Sequence, residues 1–208
     1  MKRFILGLAA VALLLAGPAR ARAGGGKVLP ATATPLGYSL QDMAEAMAYF
    51  NTSYNDLDFY PDTPFQILYL ADPNTDTTNT FTVNTGTKFF VPVFWVDDSM
   101  PIIGDFPDDK DDIAHYVFGR KQLGAHDLEI VVDGEATTLG AAYAAGATLP
   151  FLLDGDGKHI IQVGAFLTPL SKGIHTVTIQ GTLDGDAILD VLGGPYSIEA
   201  TYTVIVKD

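Results

Sequence analysis

The chain has 208 residues and no cysteine, and 12 Lys and Arg against 25 Asp and Glu give it a formal net charge of −13. Such acidity repels phosphate backbones and argues against nucleic-acid binding, while the missing thiols exclude disulfides, thiol catalysis and thiol-linked lipid anchors. The acids are 21 Asp and only 4 Glu; Asp favours turns and caps where Glu favours helix interiors, so a loop-rich, mainly β protein is expected.

Residues 1–23 read as a signal peptide. Lys2 and Arg3 precede an apolar run from Phe4 to Ala16, and "ARARA" offers a small-residue cleavage site ending at Ala23. The run is shorter than the about 20 residues a membrane span needs, and nothing later resembles one. A secreted or periplasmic protein without stable membrane insertion is expected. Cleavage removes four basic residues and no acid, which takes the charge from −13 to −17. "GGGKVLPATATPLG" (24–37) reads as a flexible leader, and 38–208 as a single domain.

Ser39 is a helix N-cap with Asp42 in the capping-box position, and Met43, Met47 and Phe50 share one helical face as a packing stripe. From Pro64 the period becomes two. "FQILYL" (65–70), "TFTV" (80–83) and "KFFVPVFWV" (88–96) are predicted strands. In the last, Phe89, Val91, Val93 and Trp95 lie on one face and Phe90, Phe94 and Val96 on the other, so both faces need cover, by a second sheet and a helix. Pro92 predicts an edge position or a bulge. A second helix is expected over 107–124, with Asp108, Asp109, Asp111 and Asp112 at its start, Arg120 and Lys121 in its last turn, and Gly124 as its C-cap.

"LEIVVDGEATTL" (128–139) predicts a hairpin about Asp133-Gly134, and further strands are expected near 148–153, 159–168, 174–183 and 196–206. The sum is an antiparallel β-sandwich, jelly-roll-like, with two short helical insertions. His175 shares a phase with Val177 and Ile179, so it reads as a structural histidine on the buried face.

The segments "GYSLQDMAEAMAYF", "FTVNTGTKFFVPVFW", "FLTPLSKGIHTVTIQG" and "IEATYTVIV" resemble a family of uncharacterised exported bacterial proteins. That family has a tryptophan-rich early helix, a "GKALFFPV"-like strand and an "LPPLSPGEHTI"-like hairpin. The resemblance implies export and the fold, and supplies no catalytic residues. The early helix departs from it, carrying Met43, Met47, Tyr49 and Phe50 and no tryptophan.

Five serines (39, 53, 99, 171 and 197) include no nucleophile elbow, and the four histidines show no metal-ligand spacing. No cofactor is required. Calcium is the one ion motivated, because "DGDGK" (154–158) and "DGDAILD" (184–190) place Asp154 with Asp156 and Asp184 with Asp186 in glycine-containing loops. Ordinary loop chemistry accounts for the same residues. Each loop offers one close pair, so a calcium cage requires the two loops to meet.

"YFNTSYNDLDFYPDTPF" (49–65) holds six aromatics, of which Tyr54, Phe59 and Tyr60 lie in a segment of little periodicity, where exposed ligand-binding rings are one reading and ordinary core or loop packing is the other. The expected function is binding or assembly outside the cytoplasm, with a glycan or a protein as ligand. The alternative is a hydrolase using carboxylates or a bound metal, which would show perturbed acids converging.

Overall fold

The computed structural model describes residues 28–70 and 79–208, so the expected signal peptide and the start of the leader lie outside the described residues. From Val28 the leader is part of the fold, contrary to the flexible reading. Val28 bridges Leu167, the Leu29 N–H donates to the Phe166 carbonyl at 2.8 Å, and Leu29 and Ala31 pack on buried side chains.

The first helix, α1 (Leu40–Thr52), begins with the expected capping box: the Ser39 N–H donates to Asp42 Oδ2 at 2.7 Å and the Asp42 N–H to Ser39 Oγ at 3.2 Å. The Ser39 hydroxyl and N–H hold the Asp42 carboxyl below its usual range. Strands β1 (Phe65–Ile67), β2 (Thr80–Asn84) and β3 (Lys88–Asp97) follow, then α2 (Ile113–Phe118). After it come β4 (Ala125–Val132), β5 (Glu135–Thr138), β6 (Ala144–Thr148), β7 (His159–Leu167) and β8 (Gly173–Leu183). The last elements are α3 (Asp186–Leu192) and β9 (Tyr196–Lys207).

The strands form two sheets, β1-β3-β7-β6 and β2-β9-β8-β4-β5, packed face to face as a sandwich. Pairing is antiparallel except at two edges, where β1 runs parallel to β3 and β2 parallel to β9. The main core lies between the sheets and includes Phe89, Val91, Ile161, Val163, Val177 and Tyr202. On the outer face of the four-stranded sheet, α1 buries Met43, Met47 and Phe50 completely. Burial on that scale is worth roughly 1.5–3 kcal/mol per side chain. A buried amide pair fixes the helix to the sheet, Asn51 Nδ2 donating to Gln162 Oε1 at 2.9 Å.

With α1 on one side and a sheet on the other, β3 is covered on both faces as its sequence requires. Pro92 is accommodated by a bulge, and the register shifts between Pro92 and Phe94. One extra residue reverses the alternation beyond it. Phe94 and Val96 therefore join Phe89 and Val91 in the inter-sheet core, and Trp95 turns outward to the layer of Ala48 and Leu149. The single alternation expected along this strand is corrected accordingly.

Other expectations need shortening. The helix expected over 107–124 is a 3-10 turn at Lys110–Asp112 followed by six α-helical residues. The chain turns extended at Gly119, whose N–H returns to the His115 carbonyl, so Arg120, Lys121 and Gly124 lie beyond the helix. The strand expected at 148–153 ends at Thr148, and residues 149–158 form a loop. "DGDAILD" is mostly helix, which makes three α-helices among the described residues rather than two. Asp133 and Gly134 both have positive φ, 52° and 88°, as the tight hairpin turn demands. Among the described residues no helix is long and apolar enough to cross a membrane.

His175 is 7% exposed, and both its nitrogens have partners: Nδ1 meets Asp133 Oδ2 and Nε2 meets the Ser171 carbonyl, each at 2.7 Å. Asp133 Oδ1 also accepts from the Thr176 N–H at 2.9 Å. The ring ties the turn before β8 to the end of β4. His175→Gln keeps at most one of the two ring bonds and is expected to lower unfolding free energy by about 1–3 kcal/mol. Urea denaturation checks this, the midpoint falling while the slope stays unchanged.

Candidate functional site

The last residues of β3 and the loop before β7 meet at one end of the four-stranded sheet. Asp98 makes the junction. Its Oδ1 accepts from the Lys158 N–H at 2.6 Å and the His159 N–H at 2.8 Å, and its Oδ2 meets His159 Nδ1 at 2.6 Å. Burial opposes ionisation here, but these donors outweigh it and hold the Asp98 carboxyl below its usual range. The loop is pressed close: a Cβ on Gly157 would lie 2.5 Å from Asp98 Oδ1, and one on Gly155 would lie 2.6 Å from the Ser99 Cβ. The glycines of "DGDGK" are there for this approach.

The approach brings Asp154 against Asp97. The Ser99 N–H donates to Asp97 Oδ1 at 2.7 Å, and the Gly157 N–H donates to Ser99 Oγ at 3.2 Å. Asp97 and Asp154 share a side-chain hydrogen bond, which lowers Asp97 and raises Asp154. Burial is the larger influence on both and pushes both up, Asp154 to about 6. Two carboxyls in contact cannot both ionise cheaply, so below about pH 6 the pair retains one proton, on Asp154.

Tyr54 lies within reach of the charge of the pair. Tyr54 is 50% exposed, and its phenol is pushed up by burial and then by the charges of Asp154 and Asp97. Phe151, 54% exposed, lies against Tyr49 with ring centroids 5.5 Å apart, and the adjoining Leu153 N–H reaches Thr52 Oγ1 at 3.3 Å. The exposed apolar ledge on these segments consists of Tyr54, which feels the charge of both carboxyls, and of Phe151 and Leu153 from the loop that carries Asp154.

Tyr54 sits there at a conformational cost. The Tyr54 N–H bonds the Asn51 carbonyl and the Asn55 N–H bonds the Phe50 carbonyl, the paired closure of a helix C-terminus. Tyr54 holds the left-handed position of that motif, with φ 62°, where glycine is the usual residue. A β-carbon there costs about 1 kcal/mol.

Of the three expected rings, Tyr54 alone joins these acids. Phe59 is 42% exposed on a separate 3-10 turn, Leu57–Phe59. Tyr60 is corrected to a structural role: its hydroxyl accepts from the Ile67 N–H at 3.1 Å, and its ring packs edge-on against Phe50 and Tyr69. The four aspartates expected for calcium do not come together. Asp154 faces Asp97, and Asp156 Oδ1 accepts a long bond of 3.4 Å from the Met100 N–H. Asp184 is paired with Arg120 at 2.8 Å, and Asp186 stands exposed in the first turn of α3. Among the described residues no three His, Asp or Glu side chains gather as a metal cage.

Asp97, Asp98 and His159 were not singled out from the sequence. The available signal was "DDS" closing one strand and "DGDGKH" opening another, which matters only once β3 and β7 are known to pair. Compared with known proteins, the chain matches no family model, no curated protein and no solved structure.

The raised Asp154 carboxyl predicts a pH signature. A carboxyl whose folded value lies above its ordinary 3.8 stabilises the fold while protonated. That contribution is complete below about pH 4 and is lost as pH rises through about 6. Asp154→Asn keeps a neutral donor in place of the acid. Thermal melts from pH 3 to pH 8, roughly spanning that window, are expected to show the variant gaining on the parent above pH 4 and more stable at pH 7.

Proposed function

We propose that this is an exported protein that binds a saccharide outside the cytoplasm, on the ledge of Tyr54, Phe151 and Leu153 beside Asp97 and Asp154. The observation that carries the reading is Tyr54, a half-exposed ring held in a glycine position within reach of the charge of a carboxyl pair. A ring kept where glycine is more stable implies a use for the ring. Sugars present an apolar C–H face to such a ring and hydroxyls at their edges. Below about pH 6 the pair holds one proton and both donates to and accepts from sugar hydroxyls, and above it the two carboxylates accept from them. Export rests on Lys2, Arg3, the apolar run to Ala16 and the "ARARA" site.

A second reading, hydrolysis by the same carboxyls, is favoured by their asymmetry. Below about pH 6 Asp154 is the protonated member of the pair beside Asp97, the one-proton arrangement in which two contacting carboxyls activate a water for hydrolysis.

Calorimetric titration of the protein beginning at Gly24 with a panel of soluble oligosaccharides tests both. A saccharide is expected to bind, and Tyr54→Gly to weaken it up to about tenfold while melting temperature stays level or rises. Phe151→Ala is expected to weaken the same saccharide. Binding unchanged in both variants would overturn the placement of the ligand. Release of reducing ends, lost in Asp154→Asn, would establish the hydrolytic reading in its place.

A further inference from the structure

Besides the exposed pair of His126 and Asp127, the described residues hold two carboxylate–histidine clamps that also bind backbone N–H groups, one in each sheet, and they differ at the ring's Nε2. In the first, Asp133 binds His175 Nδ1 and a backbone N–H, and His175 Nε2 is closed off by the Ser171 carbonyl. In the second, Asp98 binds His159 Nδ1 and the backbone N–H groups of Lys158 and His159, but His159 Nε2 has no partner among the described residues. The His159 side chain is 38% exposed and lines an open cleft of about 200 Å³ between α1, the segment before α2, and β6 and β7. The closed clamp shows what the structural role alone requires. The open one leaves a nitrogen over.

The cleft holds the complements such a nitrogen needs. Thr148 on β6 is the register partner of His159 on β7. The Leu149 N–H bonds the Lys158 carbonyl at 2.7 Å, so Thr148 and His159 form the neighbouring pair without backbone bonds, in which side chains approach most closely. Both line the cleft, together with Lys110 and Gln41, which supply donors, and Ile113 and Ile161, which are apolar.

We propose that Asp98, His159 and Thr148 form an acyl-transfer site, with Thr148 as nucleophile and a small neutral ester as substrate. Asp98 is the positioning residue, fixing the ring with its Nδ1 proton on the carboxylate and Nε2 open as the base. His159 Nε2 takes the Thr148 hydroxyl proton as Thr148 Oγ bonds the acyl carbon. Lys110 and Gln41 donate to the carbonyl oxygen as it gains charge. The ester C–O bond then breaks, and His159 returns the proton to the leaving alcohol. Water repeats the sequence with Thr148 as leaving group, releasing the carboxylic acid. Cleft volume limits the acyl group to a short one. Asp98, Asp108 and Asp109 at or beside the cleft disfavour phosphoryl and other anionic substrates. The proposal shares no residue with the saccharide ledge and stands or falls separately.

The test is hydrolysis of p-nitrophenyl acetate by the folded protein, with peptide mapping of trapped acetyl. Turnover is expected, with acetyl on Thr148. His159→Gln is expected to lower kcat about a hundredfold or more. Thr148→Val removes both the acetyl and the turnover, and Asp98→Asn lowers kcat with KM unchanged. His115→Gln and His126→Gln, which alter histidines outside the cleft, leave the rate as it was. Circular dichroism confirms that each variant is folded. Acetyl mapped to any other residue, or turnover persisting in folded His159→Gln or Thr148→Val, overturns the proposal.

Discussion

The carboxylate of Asp98 is the contact on which this end of the molecule depends. A strand that ends in an acid can accept from the backbone of whatever returns beside it, and Asp98 does so from Lys158 and His159 while also fixing the His159 ring. Three short bonds to one side chain set where the 149–158 loop lies. That loop carries Asp154 to Asp97 and Phe151 to Tyr49, and its end sets the His159 ring beside Thr148. The ledge and the cleft are thus two outcomes of one clamp. A carboxylate with that many donors is stabilised in its charged form, which is why Asp98 titrates low while its neighbour Asp97 titrates high.

The ledge runs against stability in two places. Tyr54 occupies a left-handed position where glycine is easier, and Asp97 and Asp154 sit together in a half-buried setting that raises both. At several other points local preference and tertiary structure agree: Ser39 and Asp42 cap α1, Asp133-Gly134 turns the β4–β5 hairpin, and the stripe of Met43, Met47 and Phe50 is wholly buried. Leu36 and Asp127 also take left-handed φ, 56° and 52°, but at Tyr54 that conflict coincides with a raised carboxyl pair, and function is sought where conflicts coincide.

Much of the architecture was legible from periodicity. The double-sided apolar run of β3 implied cover on both faces, and Pro92 implied the bulge. The consequence of the bulge for Trp95 was not legible, because a period-two reading has no way to count an inserted residue. Local signals also misled where tertiary contacts decided the outcome. The acids before α2 and the basic residues after it resemble a long helix, yet Gly119 ends it and Arg120 turns to Asp184. "DGDGK" and "DGDAILD" look alike as strings, but the first is a loop pressed on Asp98 and Ser99, and the second opens a helix. The site itself was hidden for a simpler reason. Asp97 and Asp154 are brought together by strand pairing across a long stretch of chain, and no spacing within either segment announces it.

The most direct test of the central claim is a carbon-13 NMR titration of the Asp97 and Asp154 carboxyls in the folded protein. The account predicts that the pair titrates as coupled carboxyls, with the Asp154 signal changing near pH 6. Both signals completing their change near the ordinary 3.8 would show that the pair is not formed and would contradict the account.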